Sequence, residues 1–447
     1  MRNSIILILF TFVSSFFYSC TYDTPEPQNI YTAPPIEDIV MYEINIRCFS
    51  TSGDFQGIID RLDSIQALGI NTIWLMPITP VGELNSVGLL GSPYSVQNYT
   101  EVNPEFGSLD DFKNLVEEAH NRDIAIILDW VANHTAWDNP WITNTDWYTQ
   151  DAYGNIISPL GTGWNDVADL NFTNDDMRVA MIDAMEYWVN ETNIDGFRCD
   201  AADYVPFDFW QEANLALRGI KSDIIILAEG ARDDHFTAGF DMNYAWDFYS
   251  TLKNVFINNY SATTIFTTHF EEISGIPEGK YKLRFTTNHD ETAWDEPPVT
   301  LFNGIDGALA ASVITLYMNG IPLLYNGQEV GCAINLPLFS ATPINWSLNG
   351  DMLNTYEKLI ALYKDHPSLR IGDITQYNNS FILAFKKSFG NEETLIIVNI
   401  KNTNKDFPIP AELIGTAWVN LMDDTDLLLN DNISLLPYEY KIWKRSI

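Results

Sequence analysis

The sequence predicts an α/β fold, a (β/α)8 TIM barrel, followed by a C-terminal antiparallel β-sandwich. Two observations predict it. From Val40 onward, apolar strand-like runs alternate with helix-like segments, and after the helix Thr355–Asp365 only short strands and turns follow. Eight strands alternating with helices over roughly three hundred residues favour a closed parallel barrel, and a doubly wound open sheet is the alternative.

The predicted barrel strands include apolar runs such as Ile124–Leu128, which are typical of strands buried on both faces of a parallel sheet. They are Val40–Arg47, Ile70–Met76, Ile124–Leu128, Ile194–Cys199, Ile224–Ala228, Phe240–Tyr244, Tyr281–Thr287 and Ile321–Tyr325. The helices between them are predicted from apolar residues at helical spacing. One of these helices should begin at Ser108, because Ser108 and Asp111 have the spacing of a capping box.

The order of these elements predicts the domain organisation. We expect a catalytic barrel over residues 38–134 and 174–355, and a C-terminal sandwich over residues 356–447. Residues 135–173 should form a small B subdomain after the third strand. A connection of that length more often has a function or its own structure than merely links two elements. The sandwich strands should be Asp373–Tyr377, Phe381–Lys387, Thr394–Asn399, Trp418–Met422 and Tyr438–Trp443.

The composition excludes some classes of partner. The chain has 24 Lys and Arg against 60 Asp and Glu, a formal net charge of −36, so its surface repels nucleic acid and anionic lipid. It also has 13 Trp, 21 Tyr and 25 Phe. These aromatic rings suit stacking on a neutral ligand such as a sugar, although aromatic residues also fill cores.

The N-terminus resembles an export signal. Arg2 precedes an apolar run, Ile5–Phe17, and Ser19-Cys20 closes it. We expect a lipoprotein signal over residues 1–20, with Cys20 lipidated, and a linker over residues 21–37; a plain secretory signal is the alternative. The protein would then be exported and anchored in the periplasm or at the cell surface, touching the membrane only through the lipidated Cys20.

The remaining cysteines suggest neither a disulfide nor a metal site. Cys48, Cys199 and Cys332 are far apart in the sequence and odd in number. Two of them lie at or near the ends of predicted strands. We therefore expect all three to be small buried side chains.

The segment Ile194–Asp200 ends a predicted strand on an arginine and a carboxylate. Residues i and i+2 of a strand point the same way, so Arg198 and Asp200 should share one face. The guanidinium would then lower the pKa of Asp200 and keep it ionised, which a nucleophilic carboxylate needs. An ordinary ion pair, with Asp200 capping the next helix, is the alternative.

Polar groups stand where the predicted barrel strands end, and barrel active sites lie at those ends. They are Asp129, Asn133, His134, Arg198, Asp200, Glu229, Asn288, His289 and Asp290. Each alone could be a helix cap or a loop residue. Several buried carboxylates together are costly, and they survive mainly where function requires them.

Four of these segments resemble, in order and spacing, the signature regions of the α-amylase family, glycoside hydrolase family 13. They are Asp129-Trp130-Val131-Ala132-Asn133-His134, Gly196-Phe197-Arg198-Cys199-Asp200, Ala228-Glu229 and Phe285-Thr286-Thr287-Asn288-His289-Asp290. Supporting matches are Trp74-Leu75-Met76-Pro77-Ile78, Ser92-Pro93-Tyr94, Asn103-Pro104-Glu105-Phe106-Gly107 and Ala168-Asp169-Leu170-Asn171. The resemblance covers about residues 38 to 330.

The resemblance implies a retaining glycosidase that acts on α-glucosidic bonds. Asp200 would be the nucleophile, Glu229 the general acid and base, and Asp290 the third carboxylate. The predicted apolar strand before Glu229 should raise the pKa of that residue, as a general acid requires. The resemblance also implies four substrate-binding residues: Tyr94 as a stacking platform, His134 and His289 as donors to the sugar, and Arg198 beside the nucleophile.

The sequence departs from the family pattern just beyond Asp200. Many α-amylases carry Lys-His where this chain has Asp203 and Tyr204. Asn133 and Asp169 match two of the family's calcium-ligand positions, so structural Ca²⁺ is possible, and main-chain carbonyls could complete the site. No cofactor is expected for the chemistry itself.

Three functions are compatible with these residues. The leading hypothesis is an exported α-amylase that cleaves α-1,4 bonds of starch or maltodextrins, with an α-glucan oligosaccharide or polysaccharide as its partner. A cyclomaltodextrinase, neopullulanase or α-glucosidase would use the same catalytic residues. A non-catalytic glucan-binding lipoprotein is a remote alternative, because all three carboxylates and both histidines are present.

Overall fold

Eight parallel strands close into a barrel in the computed structural model, which describes residues 31–447. In chain order the first ten strands are β1 (Met41–Ile44), β2 (Thr72–Leu75), β3 (Ala125–Val131), β4 (His134–Ala136), β5 (Val167–Asp169), β6 (Gly196–Asp200), β7 (Ile225–Ala228), β8 (Met242–Tyr244), β9 (Tyr281–Arg284) and β10 (Ile321–Tyr325). The barrel order is β1-β2-β3-β6-β7-β8-β9-β10, and β10 pairs with β1 to close it. The predicted barrel is confirmed, and the open sheet is excluded.

Helices alternate with most of the barrel strands. They are α1 (Ile46–Phe49), α2 (Phe55–Ile59), α3 (Leu62–Leu68), α4 (Leu109–His120), α5 (Asp175–Thr192), α6 (Phe207–Ile220), α7 (Asp234–Thr237), α8 (Trp246–Ile257), α9 (Thr263–Ile273), α10 (His289–Trp294), α11 (Pro298–Leu301), α12 (Ile305–Tyr317), α13 (Gly350–Asp365) and α14 (Pro367–Ile371). The capping box of α4 is confirmed, because Ser108 Oγ accepts the Asp111 N–H at 3.2 Å and Asp111 accepts the Ser108 N–H at 2.8 Å.

The first barrel strand is shorter than the apolar run predicts. It ends at Ile44, and Arg47 lies in the short helix α1. The buried guanidinium of Arg47 donates to the carbonyl oxygens of Gly91 and Leu338 and pairs with Glu105 at 3.0 Å. These partners lie in loops beyond the strand, so the chain turns away from the barrel to reach them.

The long connection between β3 and α5, residues 132–174, is called the excursion, and it returns two segments to the barrel rim. β4 pairs antiparallel with β5, and His134 stands opposite Asp169. The Leu170 N–H donates to the carbonyl of Asn133 at 3.1 Å. These bonds hold His134 at the end of the third barrel strand.

The C-terminal strands form an antiparallel sheet in the order β11-β12-β13-β18-β15-β16, beside a separate β14–β17 pair. They are β11 (Asp373–Tyr377), β12 (Ile382–Phe389), β13 (Glu392–Asn399), β14 (Lys405–Phe407), β15 (Thr416–Asn420), β16 (Asp426–Leu429), β17 (Ile433–Leu435) and β18 (Tyr440–Ser446). Alternate residues of β13 face opposite ways. Leu395 and Ile397 join a core within the C-terminal strands, whereas Ile396 and Val398 join the core of the barrel helices.

Cys48, Cys199 and Cys332 are buried and free, as predicted. None of the helices between residues 31 and 447 is both long and apolar enough to cross a bilayer. The predicted export segment and Cys20 lie outside the described residues.

Candidate active site

A cavity of about 480 Å³ opens at the carboxyl ends of the barrel strands. Six of the seven predicted site residues line it: Tyr94, His134, Asp200, Glu229, His289 and Asp290. They come from five different connections of the barrel and from segments up to about two hundred residues apart in sequence. The parallel arrangement brings them together, because all of these strands end at the same rim.

Arg198 is the exception. It has no exposed surface and lies beneath the cavity, where its guanidinium contacts three carboxylates. Nη1 donates to Asp129 at 2.7 Å and to Asp200 at 2.9 Å. Nη2 lies 2.9 Å from Glu229 Oε2, at ion-pair distance without hydrogen-bond alignment. Arg198 therefore contacts the carboxylates and does not line the cavity, and a role for it in binding substrate stays a prediction.

Several opposing effects set the pKa of Asp200. Burial raises the pKa of Asp200 to about 6, although Arg198 pulls it down. The nearby charges of Asp129 and Asp290 add to the rise. Arg198 thus lowers the pKa of Asp200 as predicted, but burial among several carboxylates outweighs it, and the net pKa is raised.

Glu229 is held directly beside the turn that follows Asp200. Its Oε2 accepts the N–H of Ala201 at 2.7 Å, and Ala201 adopts a left-handed conformation with φ of 46°. Burial raises the pKa of Glu229 to about 7, in the predicted direction. A carboxyl that is protonated near neutral pH can donate a proton to a bound ligand.

Asp290 belongs to a chain of charged groups that includes a residue not predicted from the sequence. His289 Nε2 lies 3.3 Å from Asp290 Oδ2, and His289 Nδ1 bonds to the fully buried Glu43 of β1. Burial alone would lower the pKa of His289, but Asp290 and Glu43 outweigh it and raise that pKa well above its usual value. Burial would raise the pKa of Asp290, but charged His289 holds it at about 2.

Tyr94 packs against the same group of residues. Its ring stacks on His289 with centroids 5.3 Å apart, and its hydroxyl lies 2.7 Å from His289 Nε2. The hydroxyl also donates to Asp129 Oδ2 at 3.0 Å, and Trp74 Nε1 donates to the same oxygen at 3.2 Å. Tyr94 lines the cavity with a ring that these bonds fix in place.

His134 lines the cavity from the excursion after β3. Burial lowers its pKa to about 4, so the imidazole is neutral near pH 7 and carries one N–H. Trp164, from the same excursion, contacts it with ring centroids 5.4 Å apart. A neutral ring of this kind can donate a hydrogen bond to an uncharged ligand without repelling Arg198.

Aromatic side chains at the mouth of the cavity were not predicted from the sequence. Trp164 pairs with Tyr204 at 5.9 Å, and Trp294 pairs with Phe339 at 5.9 Å. All four line the cavity, and Tyr204 and Trp294 are largely exposed. The sequence could have indicated these rings only through their positions in loops that follow strands. An aromatic residue in a loop does not by itself indicate which way its ring faces.

Asn133 and Asp169 stand at the two calcium-ligand positions that the sequence indicates, and the expected structural Ca²⁺ stays a prediction. Asp169 offers one carboxylate, which is bonded to Thr149, and the amide nitrogen of Asn133 lies 3.3 Å from His134 Nδ1. Among residues 31–447, no group of three or more His, Cys, Asp or Glu could hold a metal ion. Ca²⁺ takes six to eight oxygen ligands, and we derive no step through a metal.

The comparisons with known proteins agree with this arrangement. The family model described as "Alpha amylase, catalytic domain" matches residues 17–156 and 160–348. "Alpha-amylase 3" of Dictyoglomus thermophilum is 28% identical over 86% of this chain and 89% of its own length, and a cyclomaltodextrinase of Geobacillus thermopakistaniensis is 27% identical over 88% and 70%. The crystal structure of an alpha-amylase from Lactobacillus plantarum has a TM-score of 0.84 at 27% identity and covers 92% of this chain and 99% of that one.

Proposed function

The chain belongs to the α-amylase family of glycoside hydrolases, and from that premise we propose that it hydrolyses α-1,4-glucosidic bonds of starch or maltodextrins with retention of configuration. One observation carries the proposal. Asp200 and Glu229 contact the two amino groups of one buried guanidinium, that of Arg198, on the wall of one cavity. A retaining glycosidase needs two carboxyl groups in this close relation, one as nucleophile and one as proton donor.

In the first step, Asp200 acts on the anomeric carbon of the sugar. A carboxylate oxygen of Asp200 forms a bond to that carbon while the glycosidic C–O bond breaks. The electron pair of the broken bond stays on the leaving oxygen, and Glu229 transfers its proton to that oxygen. The product is a covalent glycosyl-Asp200 ester and a released sugar.

In the second step, water replaces Asp200. Glu229, now a carboxylate, takes one proton from a water molecule whose oxygen attacks the anomeric carbon. The bond to Asp200 breaks, and its electron pair restores the carboxylate. Glu229 is protonated again, and the sugar leaves in the α configuration with which it entered.

The remaining groups would stabilise the positive charge that develops on the sugar. Asp290 keeps its negative charge because charged His289 holds its pKa at about 2. His134 and His289 would donate hydrogen bonds to sugar hydroxyls, and the Tyr94 ring would stack on a sugar face. All four residues line the cavity that holds Asp200 and Glu229.

A second candidate is cyclomaltodextrinase, neopullulanase or α-glucosidase action with the same catalytic residues. The relative named cyclomaltodextrinase favours it, since its 27% identity is close to the 28% of the relative named Alpha-amylase 3. The aromatic pairs Trp164–Tyr204 and Trp294–Phe339 at the cavity mouth suit α-glucan chains of either shape.

A substrate panel separates the two candidates. The purified protein is given soluble starch, a linear maltooligosaccharide, β-cyclodextrin, pullulan and maltose, and the anomer first released is identified by NMR. Fastest hydrolysis of starch and linear chains with release of the α anomer supports the amylase proposal. Faster hydrolysis of cyclodextrin, pullulan or maltose supports the second candidate, and release of the β anomer contradicts both.

We also propose that the protein is exported and anchored through lipidated Cys20. The apolar run Ile5–Phe17 and the closing Ser19-Cys20 support this proposal. Expression of the full chain in a bacterium with radiolabelled palmitate should label the wild-type protein and not Cys20→Ala. A wild-type protein that is released unlabelled into the medium would favour the plain secretory alternative.

A further inference from the structure

The carboxylate of Asp203 is bound to the loop that follows Glu229. Asp203 lies in the turn after β6, three residues beyond Asp200. Its Oδ2 accepts the N–H of Ala231 at 3.2 Å, and its Oδ1 accepts the N–H of Arg232 at 3.4 Å. One side chain therefore joins the segment that carries Asp200 to the segment that carries Glu229.

The contact is close at Gly230, the residue that directly follows Glu229. A Cβ atom on Gly230 would lie 2.4 Å from Asp203 Oδ1 and 2.7 Å from His235 Cε1. The Asp203 carboxylate thus packs against the main chain beside Glu229, with no room for a side chain between them. A movement of this carboxylate would therefore also move the main chain next to Glu229.

Two further side chains after Glu229, those of Arg232 and His235, complete the contact. The buried His235 has its Nε2 3.3 Å from Asp203 Oδ1, and its ring packs on Phe240 with centroids 5.3 Å apart. Arg232 Nη1 donates to the carbonyl oxygens of Asp203 and Val205, at 3.1 Å each. The loop after Glu229 is therefore fastened to the turn after Asp200 through both the side chain and the main chain of Asp203.

We propose that Asp203 is a positioning residue that holds Glu229 in line for proton transfer to the leaving oxygen. The inference rests on the proposed role of Glu229 as general acid. The main chain of Glu229 is bonded to β6 through Cys199 at 2.9 Å and to Ala202 at 3.0 Å. Asp203 extends this connection past Glu229 to Ala231 and Arg232. The same loop is held to β8 on its other side, where the Tyr244 N–H donates to the carbonyl of Gly230 at 3.1 Å.

Removing the Asp203 carboxylate should slow the reaction strongly only for substrates whose leaving group needs a proton from Glu229. General acid catalysis contributes about 10²- to 10⁴-fold, and a displacement of about 1 Å can cost about 10²-fold. Asp203→Ala should therefore lower kcat/KM, which reports the first step, on a maltooligosaccharide by about 30- to 100-fold. With α-maltosyl fluoride the loss should be only a few-fold, because fluoride leaves without needing a proton from Glu229.

The experiment measures kcat/KM for both substrates in the wild type, Asp203→Ala, Asp203→Asn and the control Asp423→Ala, because kcat also includes the second step, which needs Glu229 as a base for either substrate. Asp423 also accepts a main-chain N–H, from Thr425 at 3.1 Å, but it lies in the C-terminal region. We expect Asp203→Asn to recover part of the lost rate, since its amide oxygen still accepts an N–H, and Asp423→Ala to match the wild type.

Equal losses of Asp203→Ala on the two substrates would overturn the inference, because they would indicate general damage to the site. So would an unchanged rate on the maltooligosaccharide. Glu229→Gln tests the underlying role separately. If Glu229→Gln hydrolyses the maltooligosaccharide at the wild-type rate, the proposed function of Glu229 fails, whatever Asp203 does.

Discussion

His289 bonds through Nδ1 to Glu43, a carboxylate with no exposed surface on the first barrel strand. On its other side, His289 Nε2 lies 3.3 Å from Asp290 Oδ2. Glu43 is therefore linked to the cavity through a single imidazole ring. Glu43 does not line the cavity, but its charge helps to raise the pKa of His289.

Glu43→Gln is expected to weaken catalysis through this ring. Removing the negative charge lowers the pKa of His289, because Glu43 is one of the two carboxylates that raise it. A less charged His289 then holds Asp290 ionised less firmly. Charge-assisted hydrogen bonds contribute about 1.5–3 kcal/mol, so kcat/KM should fall by about ten- to a hundredfold. The pKa change of His289 can be followed by NMR of labelled histidine, and an unchanged pKa with unchanged kcat/KM would contradict this account.

The pH dependence of kcat/KM should be a narrow bell. The first step needs Asp200 ionised and Glu229 protonated, and burial raises their pKa values to about 6 and about 7. Activity should fall below about pH 6 as Asp200 takes up a proton, and above about pH 7 as Glu229 loses one. Initial rates on a maltooligosaccharide across pH 4 to 9 measure this. A flat profile up to pH 9 would exclude Glu229 as the proton donor.

Trp164→Ala should weaken substrate binding more than chemistry. Trp164 lines the cavity mouth and contacts Tyr204. Losing a stacking surface worth about 1 kcal/mol should raise KM for a long maltooligosaccharide about fivefold, with kcat nearly unchanged. The matched control is Tyr153→Ala, an exposed aromatic residue of the same excursion that does not line the cavity. An equal change in KM for both variants would contradict a binding role for Trp164.

Metal removal should leave the activity unchanged. The proposed steps use only the side chains of the cavity, so the chemistry itself needs no metal ion. Dialysis against EDTA, followed by activity and thermal unfolding measurements with and without added Ca²⁺, tests this. A fall in activity or melting temperature that Ca²⁺ reverses would show that other oxygens complete a site.

The residues that define the barrel rim could be predicted because their signal is local. Asp129 and Glu229 each follow a continuous apolar run, and such a run marks both the strand and its end. The exact residue at which a strand ends was harder to predict. The first strand was predicted to continue through Arg47, but it ends at Ile44, and Arg47 donates to loop carbonyl oxygens instead.

The parts of the site that were missed depend on contacts across the fold. Glu43 lies within a buried strand, and no residue near it in sequence indicates its bond to His289, which is 246 residues away. Arg198 lowers the pKa of Asp200 as the sequence predicted, but burial and the charges of Asp129 and Asp290 raise it further, and only the folded structure shows that balance. Local sequence patterns indicate which side chains meet at the barrel rim. They do not indicate the pKa values that burial and the neighbouring charges give those side chains.

The central claim is that Asp200 forms a covalent bond to the sugar. Glu229→Gln protein is mixed with α-maltosyl fluoride, whose leaving group needs no proton, and its mass is measured intact and after proteolysis. Without a base to activate water, the intermediate should accumulate as protein heavier by one maltosyl group, with the added mass on the peptide that contains Asp200. Turnover of the fluoride at the wild-type rate with no adduct, or an adduct on a different residue, would contradict the account.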